Sequence, residues 1–524
     1  MSAGAQTSAS KGQELARRSA DGVRDTPVRP RPEPAPRRSR DGGDRPPPRP
    51  EAPAPAPPHE PLVELHFSPA PAIRGPVPGP RSQQMLAEQA ALESRARSYP
   101  RAVPVAFEAG RGATLRDVDG NTYVDFFGGA GTLNVGHGHP AVKRAASEQQ
   151  ERLVHALDFP TAPKLALMRR LKQILPGALA RTARVHFGGP TGSDAVEAAL
   201  KLVRAHTGRR AVVAFQGSYH GMTADALSVT SDTGCGGPVD TPVHFVPYPY
   251  CYRCPLGLRP QSCGAACTKL LESSLEDPYS GVPKPAAVIV EPVQGEGGTV
   301  VPPAGWLAEV REIARRHEVP LIVDEIQTGF GRTGTAFACE HDGVTPDVVV
   351  LSKAIGGIGY PLSAIAYDES LDTWEPGAHI GTFRGHQVAM AAGVAAIEVM
   401  RELDLPGRAR ELGELALGLL REAAETQELT AVGEVRGRGL MIGVELVRDR
   451  ESRAPWPELA DAVRRRCSEK GLIIEVGGHY ANVARFLPPL VITRELLERG
   501  IEVFVEALSE SEQTDRKRSA RPPV

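Results

Sequence analysis

The chain has 524 residues, 41% of them apolar and 24% charged, and its 61 basic and 63 acidic side chains leave a net charge of −2. That length corresponds to about three domain-sized units with ample material for a core, and the balanced charge supplies no global field for nucleic acid or an anionic membrane. No run of about 18 apolar residues marks a transmembrane helix. The opening segment MSAGAQTSASKGQELARRSADG lacks the apolar centre of a secretory signal, so a cytoplasmic protein is expected, whose seven cysteines are thiols or metal ligands rather than disulfides.

Residues 1–84 stand apart, since 19 of the 49 prolines fall within the first 80 positions and aromatic residues are nearly absent there. Such a segment buries too little apolar surface to offset its ordering entropy, and a disordered or polyproline extension is expected. Residues 511–524 read as a second tail. Between them, QMLAEQAALESRARS reads as a helix, and VPVAFEAGRGATLRDVDGNTYVDFFGG as an antiparallel meander turning at Asp119-Gly120. From residue 160 helices alternate with short apolar strands: ARVHF (183–187), AVVAF (211–215), AAVIV (286–290), PLIVD (320–324) and DVVVL (347–351). That alternation predicts an α/β fold with a mostly parallel sheet. After about residue 390 come long helices and a second meander around GRGLMIGVEL and NVARFLPPLVI. The expected organisation is a large α/β domain over 160–392, flanked by two pieces of a smaller α+β domain, 85–159 and 393–510.

Ligands of open α/β sheets sit beyond the carboxyl ends of the strands, so the residues that follow each strand carry the chemistry. After ARVHF, a glycine-rich turn leads into a helix with Gly192 and Ser193 at its start, where free backbone N–H groups favour a phosphate or simply form a cap. After AVVAF come Tyr219, His220 and Gly221, an aromatic face beside a glycine. After AAVIV, the turn EPVQGEGG carries Glu291 and Glu296. Asp324 ends the apolar run PLIV, and a carboxylate in that position needs a cationic partner. Lys353 follows VVVLS, and a lysine drawn out of water has its amine pKa lowered. A phosphate cradle, an aromatic plate, a buried acid and a buried lysine together are the parts a pyridoxal 5'-phosphate site requires.

LIVDEIQTGFGRTG followed by PDVVVLSKAIGG resembles the signature of the class III (ω-amino acid) aminotransferases, which are fold type I pyridoxal phosphate enzymes. The resemblance spans about residues 85–508. FFGGAGTLNVGHGHP, GPTGSDAVEAALKLVR, FQGSYHGM, EPVQGEGG and GTFRGHQ occur in the family's order. Within the class the chain is most similar to the diaminobutyrate–2-oxoglutarate group, on GAGTLN, GPTGSDAVEAALKLVR and YPYCYRCP. The resemblance implies that Lys353 forms a Schiff base with the cofactor and shuttles a proton. It implies that Asp324 pairs with the ring nitrogen, Gln327 bonds the ring hydroxyl and Tyr219, followed by His220, stacks on the ring. Gly192 and Ser193 would hold the phosphate, joined by Thr382 from the second subunit of a homodimer, and Glu291 would lie beside Asp324. Arg485 would bind the α-carboxylate of 2-oxoglutarate, with Glu296 as a gate upon it. The implied reaction moves the γ-amine of L-2,4-diaminobutyrate to 2-oxoglutarate in two stages, giving aspartate 4-semialdehyde and glutamate. The partners are a small amino donor and a keto acid. Alternatives are another ω-amine donor (γ-aminobutyrate, ornithine or a polyamine), an aminomutase or decarboxylase, or an inactive cofactor-binding regulator.

Three departures accompany the resemblance. Met222 stands where γ-aminobutyrate and ornithine aminotransferases carry an arginine that clamps a distal carboxylate. Gly138 replaces a commoner asparagine, and the loop GGIGYPLSA after the lysine is slightly long. Outside the family signature, CYRCPLGLRPQSCGAAC places Cys251, Cys254, Cys263 and Cys267 at spacings that suit a structural metal or a loop of reduced thiols.

Overall fold

The computed structural model describes residues 61–231, 241–427 and 429–519. The part of the expected extension over 1–60 lies outside the described residues, as do 520–524 of the second tail. The meander forms as the alternating pattern predicts: β1 (Phe107–Arg111), β2 (Thr114–Asp117) and β3 (Thr122–Asp125) pair antiparallel in sequence order. Gly120 takes φ +89° in the turn between β2 and β3, a backbone conformation glycine adopts without penalty. The carboxylate of Asp119 in the same turn accepts from the backbone N–H groups of Arg81 and Ser82 at 2.8 and 2.9 Å. It thereby caps the helix Pro80–Leu92.

The five apolar runs form strands β4 (Ala183–Phe187), β5 (Val212–Phe215), β7 (Ala287–Val290), β8 (Leu321–Asp324) and β9 (Val348–Leu351). Two strands not anticipated, β6 (Val243–Val246) and β10 (Ala364–Asp368), complete one sheet in the order β4-β10-β9-β8-β7-β5-β6. All neighbours are parallel except at β10, which runs antiparallel to both β4 and β9. Every residue of β5, β7, β8 and β9 is buried, because helices cover both faces of the sheet. The helix Gly192–Thr207 shows why: Ala195, Ala198 and Ala199 are small enough to lie close to the strands, while Val196, Leu200 and Val203 fill the space around them.

The chain ends are woven together. Strand β13 (Leu472–Ile473) pairs parallel with β3, and β11 (Val432–Arg438), β12 (Met441–Leu446), β15 (Val483–Phe486) and β14 (Glu475–Gly477) form an antiparallel sheet in that order. The tail expectations need correction where residues are described. Leu65 is buried, His66 Nδ1 accepts from the Ala113 N–H at 2.8 Å, and Ala72 bridges to Thr122. Residues 61–84 therefore find partners in the meander, which local composition does not reveal. The helix Arg494–Ser519 runs through 511–519, with Glu512 buried. Among the described residues no helix is long and apolar enough to cross a membrane.

Candidate active site

Five strand ends converge on one cavity of about 230 Å³ lined by Gly192, Ser193, Tyr219, Asp324, Gln327 and Lys353, with Glu291, Glu296 and His220 in its wall. Ile326 and Thr328, which sequence reading passed over, line it as well. A wider cavity of about 1000 Å³ lies alongside and shares Tyr219 and Glu296 with it.

Lys353 is the first residue after β9 and its neighbour Ser352, and it takes φ +51°. An L-residue with a long side chain is strained in that region and stays there only when its surroundings require it. Burial draws its amine down to about 8, against the opposing charges of Glu296, Asp324 and Glu291. Among the described residues the amine makes no hydrogen bond. The structure thus supplies an amine that gives up its proton far more readily than an ordinary lysine, a property nucleophilic chemistry needs.

Asp324 closes β8 and is buried. Its Oδ2 lies 2.7 Å from His220 Nδ1, and its Oδ1 accepts from the Ile326 N–H at 3.0 Å. Burial works against a charged His220, yet the hydrogen bond and charge of Asp324, joined by Glu291, raise the imidazole pKa overall. His220 Nε2 is buried with no partner among the described residues. His220 is therefore the hydrogen-bond partner of the buried aspartate, which raises the imidazole pKa toward the cationic form. Glu291 has a bracing role: its Oε1 accepts from the Tyr219 N–H and its Oε2 from the Gly295 N–H, both at 2.9 Å. Burial pushes its carboxyl up to about 7, partly offset by His220.

The phosphate-type cradle is built from close packing. A Cβ at Gly192 would stand 2.8 Å from Ile326 Cδ1, and one at Gly221 would stand 2.1 Å from Ser193 Oγ. Only glycine lets the helix start, the loop after β5 and the loop after β8 approach one another this closely. Ser193 Oγ accepts from the Met222 N–H at 3.2 Å, while the Met222 side chain is exposed. Thr191 and Asp194 cap the helix, with Asp194 Oδ2 accepting from the Thr191 N–H at 2.9 Å.

Arg485, on β15, is 1% exposed and donates through Nη1 to Glu296 Oε2 at 2.8 Å, whereas the Glu296 side chain is 41% exposed. A fully buried guanidinium is thus held by a carboxylate that reaches solvent. Burial opposes the guanidinium charge, but Glu296 and Glu475 outweigh it and raise the pKa. Gln327 is already engaged: its Oε1 accepts from Arg485 Nη2 at 3.2 Å and its Nε2 donates to the Ala130 carbonyl at 3.2 Å. The ring-hydroxyl role expected of it therefore needs a change of partners. Ala130 lies in FFGGAG, where Gly128, Gly129, Ala130 and Gly131 all have positive φ, and the carboxylate of Asp125 accepts from the Phe127 and Gly128 N–H groups. Gly138 takes φ +62°, a region open to glycine and asparagine alike, so the exchange at 138 preserves the backbone.

Two groups of expected residues lie elsewhere. Thr382 is exposed and lines a separate cavity of about 750 Å³ with His186, Trp374 and Arg384. The four cysteines line a third cavity, of about 240 Å³, against Trp306. Burial pushes the Cys251 thiol up to about 11. No cluster of three or more His, Cys, Asp or Glu side chains among the described residues is arranged to hold a metal. The residues missed in sequence are Tyr99 and Glu475. Burial, then Glu475 and Glu296, push the Tyr99 phenol up to about 12, which puts all three within electrostatic reach of the cavity.

Comparison with known proteins agrees with this geometry. Residues 96–508 match the family model for aminotransferase class-III. The chain is 41% identical over 438 residues to the diaminobutyrate–2-oxoglutarate aminotransferase of Haemophilus influenzae, covering 82% of this chain and 95% of that protein. It is 45% identical over 420 residues to the Rhizobium meliloti protein of the same name, covering 78% and 88%. Among solved structures, the ornithine aminotransferase of Toxoplasma gondii superposes with a TM-score of 0.71 at 31% identity, covering 83% of this chain and 96% of that one. A Thermomicrobium roseum (S)-enantioselective omega-transaminase gives 0.74 at 31% identity, covering 82% and 98%. The chain belongs to the class-III aminotransferases.

Proposed function

We propose that the protein is a pyridoxal phosphate-dependent enzyme that transfers the γ-amino group of L-2,4-diaminobutyrate to 2-oxoglutarate, reversibly, giving aspartate 4-semialdehyde and glutamate. The observation that carries this reading is the fully buried Arg485, held by the partly exposed carboxylate of Glu296 in the wall of the Lys353 cavity. A diamino acid must present its distal amine, whereas 2-oxoglutarate must present its α-keto carbon. One pocket has to hide a cation from the first and offer it to the second. Opening a buried pair without replacing it is costly, so the incoming α-carboxylate takes the place that Glu296 leaves.

The residues present fit the cofactor: a lysine with a lowered amine pKa and no hydrogen bond, a buried aspartate backed by histidine, and a cradle in which a Cβ at Gly192 or Gly221 would clash. Lys353 would hold the cofactor, Gly192 and Ser193 its phosphate, Asp324 its ring nitrogen and Tyr219 its face. When bound, pyridoxal phosphate supplies a carbonyl carbon for amine exchange and a heteroaromatic electron sink. Lys353 Nζ then carries the proton to and from the substrate carbon. Asp324, fixed by His220, would keep a proton on the ring nitrogen, and Glu291 fixes the loops that bear Tyr219 and Gly295.

We further propose a large domain over 160–392 with a smaller one built from 85–159 and 393–510, and a homodimer. Exposed Ile380 and Phe383 flank Thr382, and exposed Leu157 lines the same cavity, which suits a surface covered by a second copy that receives Thr382. Sedimentation should then give twice the chain mass of 55.9 kDa. Rates for a panel of amino donors with 2-oxoglutarate as acceptor test the function. Diaminobutyrate should rank among the best, with glutamate formed in equal amount. Preference for ornithine, γ-aminobutyrate or a polyamine over it by tenfold would overturn the donor assignment.

A further inference from the structure

An enzyme that uses a diamino acid must recognise an ammonium as well as a carboxylate at the end of the substrate that does not react. L-2,4-Diaminobutyrate and γ-aminobutyrate carry the same reacting amine and the same carboxylate. They differ only in the α-ammonium. In the wall of the Lys353 cavity the carboxylates already described are occupied: Asp324 by His220, Glu291 by two backbone N–H groups, and Glu296 by Arg485. One further carboxylate stands beside them.

Glu475 on β14 is the direct Cα partner of Arg485 on β15. Residues directly opposed in an antiparallel pair put their side chains on the same face, with Cβ atoms about 5 Å apart. Glu475 therefore shares a face with the guanidinium of the proposed gate, and Gly477 leaves that face open: it has no side chain, and a Cβ there would stand 3.0 Å from Arg485. The Glu475 carboxylate makes no hydrogen bond among the described residues. The charged and titratable groups facing it are Arg485 from β15, Glu296 from the loop after β7, Lys353 from the loop after β9, Arg464 from the helix Pro457–Glu469, and Tyr99 from the short helix Tyr99–Ala102. Arg464 is already paired with Asp461 on its own helix. Burial pushes the Glu475 carboxyl up to about 7, Arg485 pulls it down and Glu296 pushes it further up. Here is a carboxylate without a hydrogen-bond partner among the described residues, on the strand beside the guanidinium of the proposed gate and within electrostatic reach of the Lys353 amine.

We propose that Glu475 is the donor-specificity residue, whose carboxylate receives the α-ammonium of the diamino acid. The inference rests on the diaminobutyrate reading above. An ammonium supplies the hydrogen bonds and the counter-charge that this half-buried carboxylate lacks within the protein. γ-Aminobutyrate leaves it unpaired, and that is how the site separates the two. 2-Oxoglutarate has no ammonium, and its carboxylates gain nothing from a negative Glu475. The same residue thus favours the donor half of the cycle and is neutral or opposed in the acceptor half.

The test uses the holoenzyme and its Glu475→Gln variant, with kcat/KM measured for L-2,4-diaminobutyrate and for γ-aminobutyrate against 2-oxoglutarate. A charge-assisted hydrogen bond corresponds to about 10- to 100-fold. The variant should lose that much toward diaminobutyrate, change less than about threefold toward γ-aminobutyrate, and show an unchanged or lower KM for 2-oxoglutarate. Calorimetric titration of diaminobutyrate into the Lys353→Ala protein, with and without Glu475→Gln, should show the same loss as weaker binding without turnover. Glu475→Asp keeps the charge and retracts it by one methylene, and should give an intermediate donor ratio. It decides the matter should the Gln variant not fold. An unchanged donor ratio, or an equal fall for both donors, overturns the assignment of Glu475 and leaves the donor reading standing. A wild-type enzyme that uses both donors equally well also overturns the assignment of Glu475, and one that prefers γ-aminobutyrate by tenfold overturns the donor reading itself.

Discussion

Arg332 and Arg485 are both withdrawn from water, at 0% and 1% exposure, and they are held by different chemistry. Arg332 donates to the carbonyls of Leu440 and Pro488 and to Asn134 Oδ1, at 3.0, 2.5 and 2.6 Å. Asn134 in turn donates to the carbonyls of Gly329 and Phe330. No carboxylate is within bonding distance of it among the described residues, and burial draws its pKa down to about 9. It ties the segments GTLN, GFGRTG and FLPPL together as a strut. Arg485 holds a carboxylate that reaches solvent and an amide that also holds the FFGGAG loop. A guanidinium bound to backbone cannot be released without opening the fold. One bound to a mobile side chain can exchange that partner for a substrate. The choice of partner, rather than the degree of burial, separates the structural cation from the functional one.

The contrast can be broken or sharpened by substitution. The largest effect belongs to neither arginine: Lys353→Ala should lower turnover by at least about 10⁴-fold and leave the thermal unfolding midpoint nearly unchanged. Arg332→Met should strand several buried carbonyls and cost about 3 kcal/mol in chemical denaturation, with activity per folded molecule close to wild type. Arg485→Ala should do the reverse. Its single-turnover reaction with 2-oxoglutarate should slow on the order of 100-fold, with the donor half-reaction slowed less than about tenfold and with less effect on stability than at 332. Equal losses in the two half-reactions would mean that Arg485 is a strut as well.

A smaller effect is in pH. Only the unprotonated amine of Lys353 has the lone pair needed to react, and burial draws its pKa from 10.5 down to about 8. Cofactor uptake by the apoenzyme, followed by absorbance, should therefore speed up as pH rises through about 8 and level off above it. A rate still climbing toward 10.5 would show that the amine is not withdrawn from water as described.

Much of the architecture is legible because it is local. Continuous β-branched runs mark β5, β7, β8 and β9, and the residues ending those runs, Asp324 and Lys353, are in the site. Strand β6 escapes because its half-buried residues show no continuous apolar run, and β10 because nothing near it announces an antiparallel strand in a parallel sheet. The relation of Glu475 to Arg485 is illegible for a different reason. It depends on the register between β14 and β15, which pairing in three dimensions sets and which a slip of one residue would reverse. Gln327 is placed in the site by its position after β8, but its bonds to Arg485 and Ala130 come from two distant segments. The tail assignments fail at 61–84 and 511–519 because composition reports what a segment can bury alone: Leu65 and His66 are buried against the meander, and 511–519 continues the helix Arg494–Ser519, with Ser511 and Glu512 buried.

The central claim is that Lys353 is the residue to which the cofactor attaches, and borohydride reduction of the holoenzyme followed by peptide mapping tests it most directly. The account predicts a stable pyridoxyl label on Lys353 and on no other side chain. A label on another lysine, or none on a protein that retains activity, would contradict it.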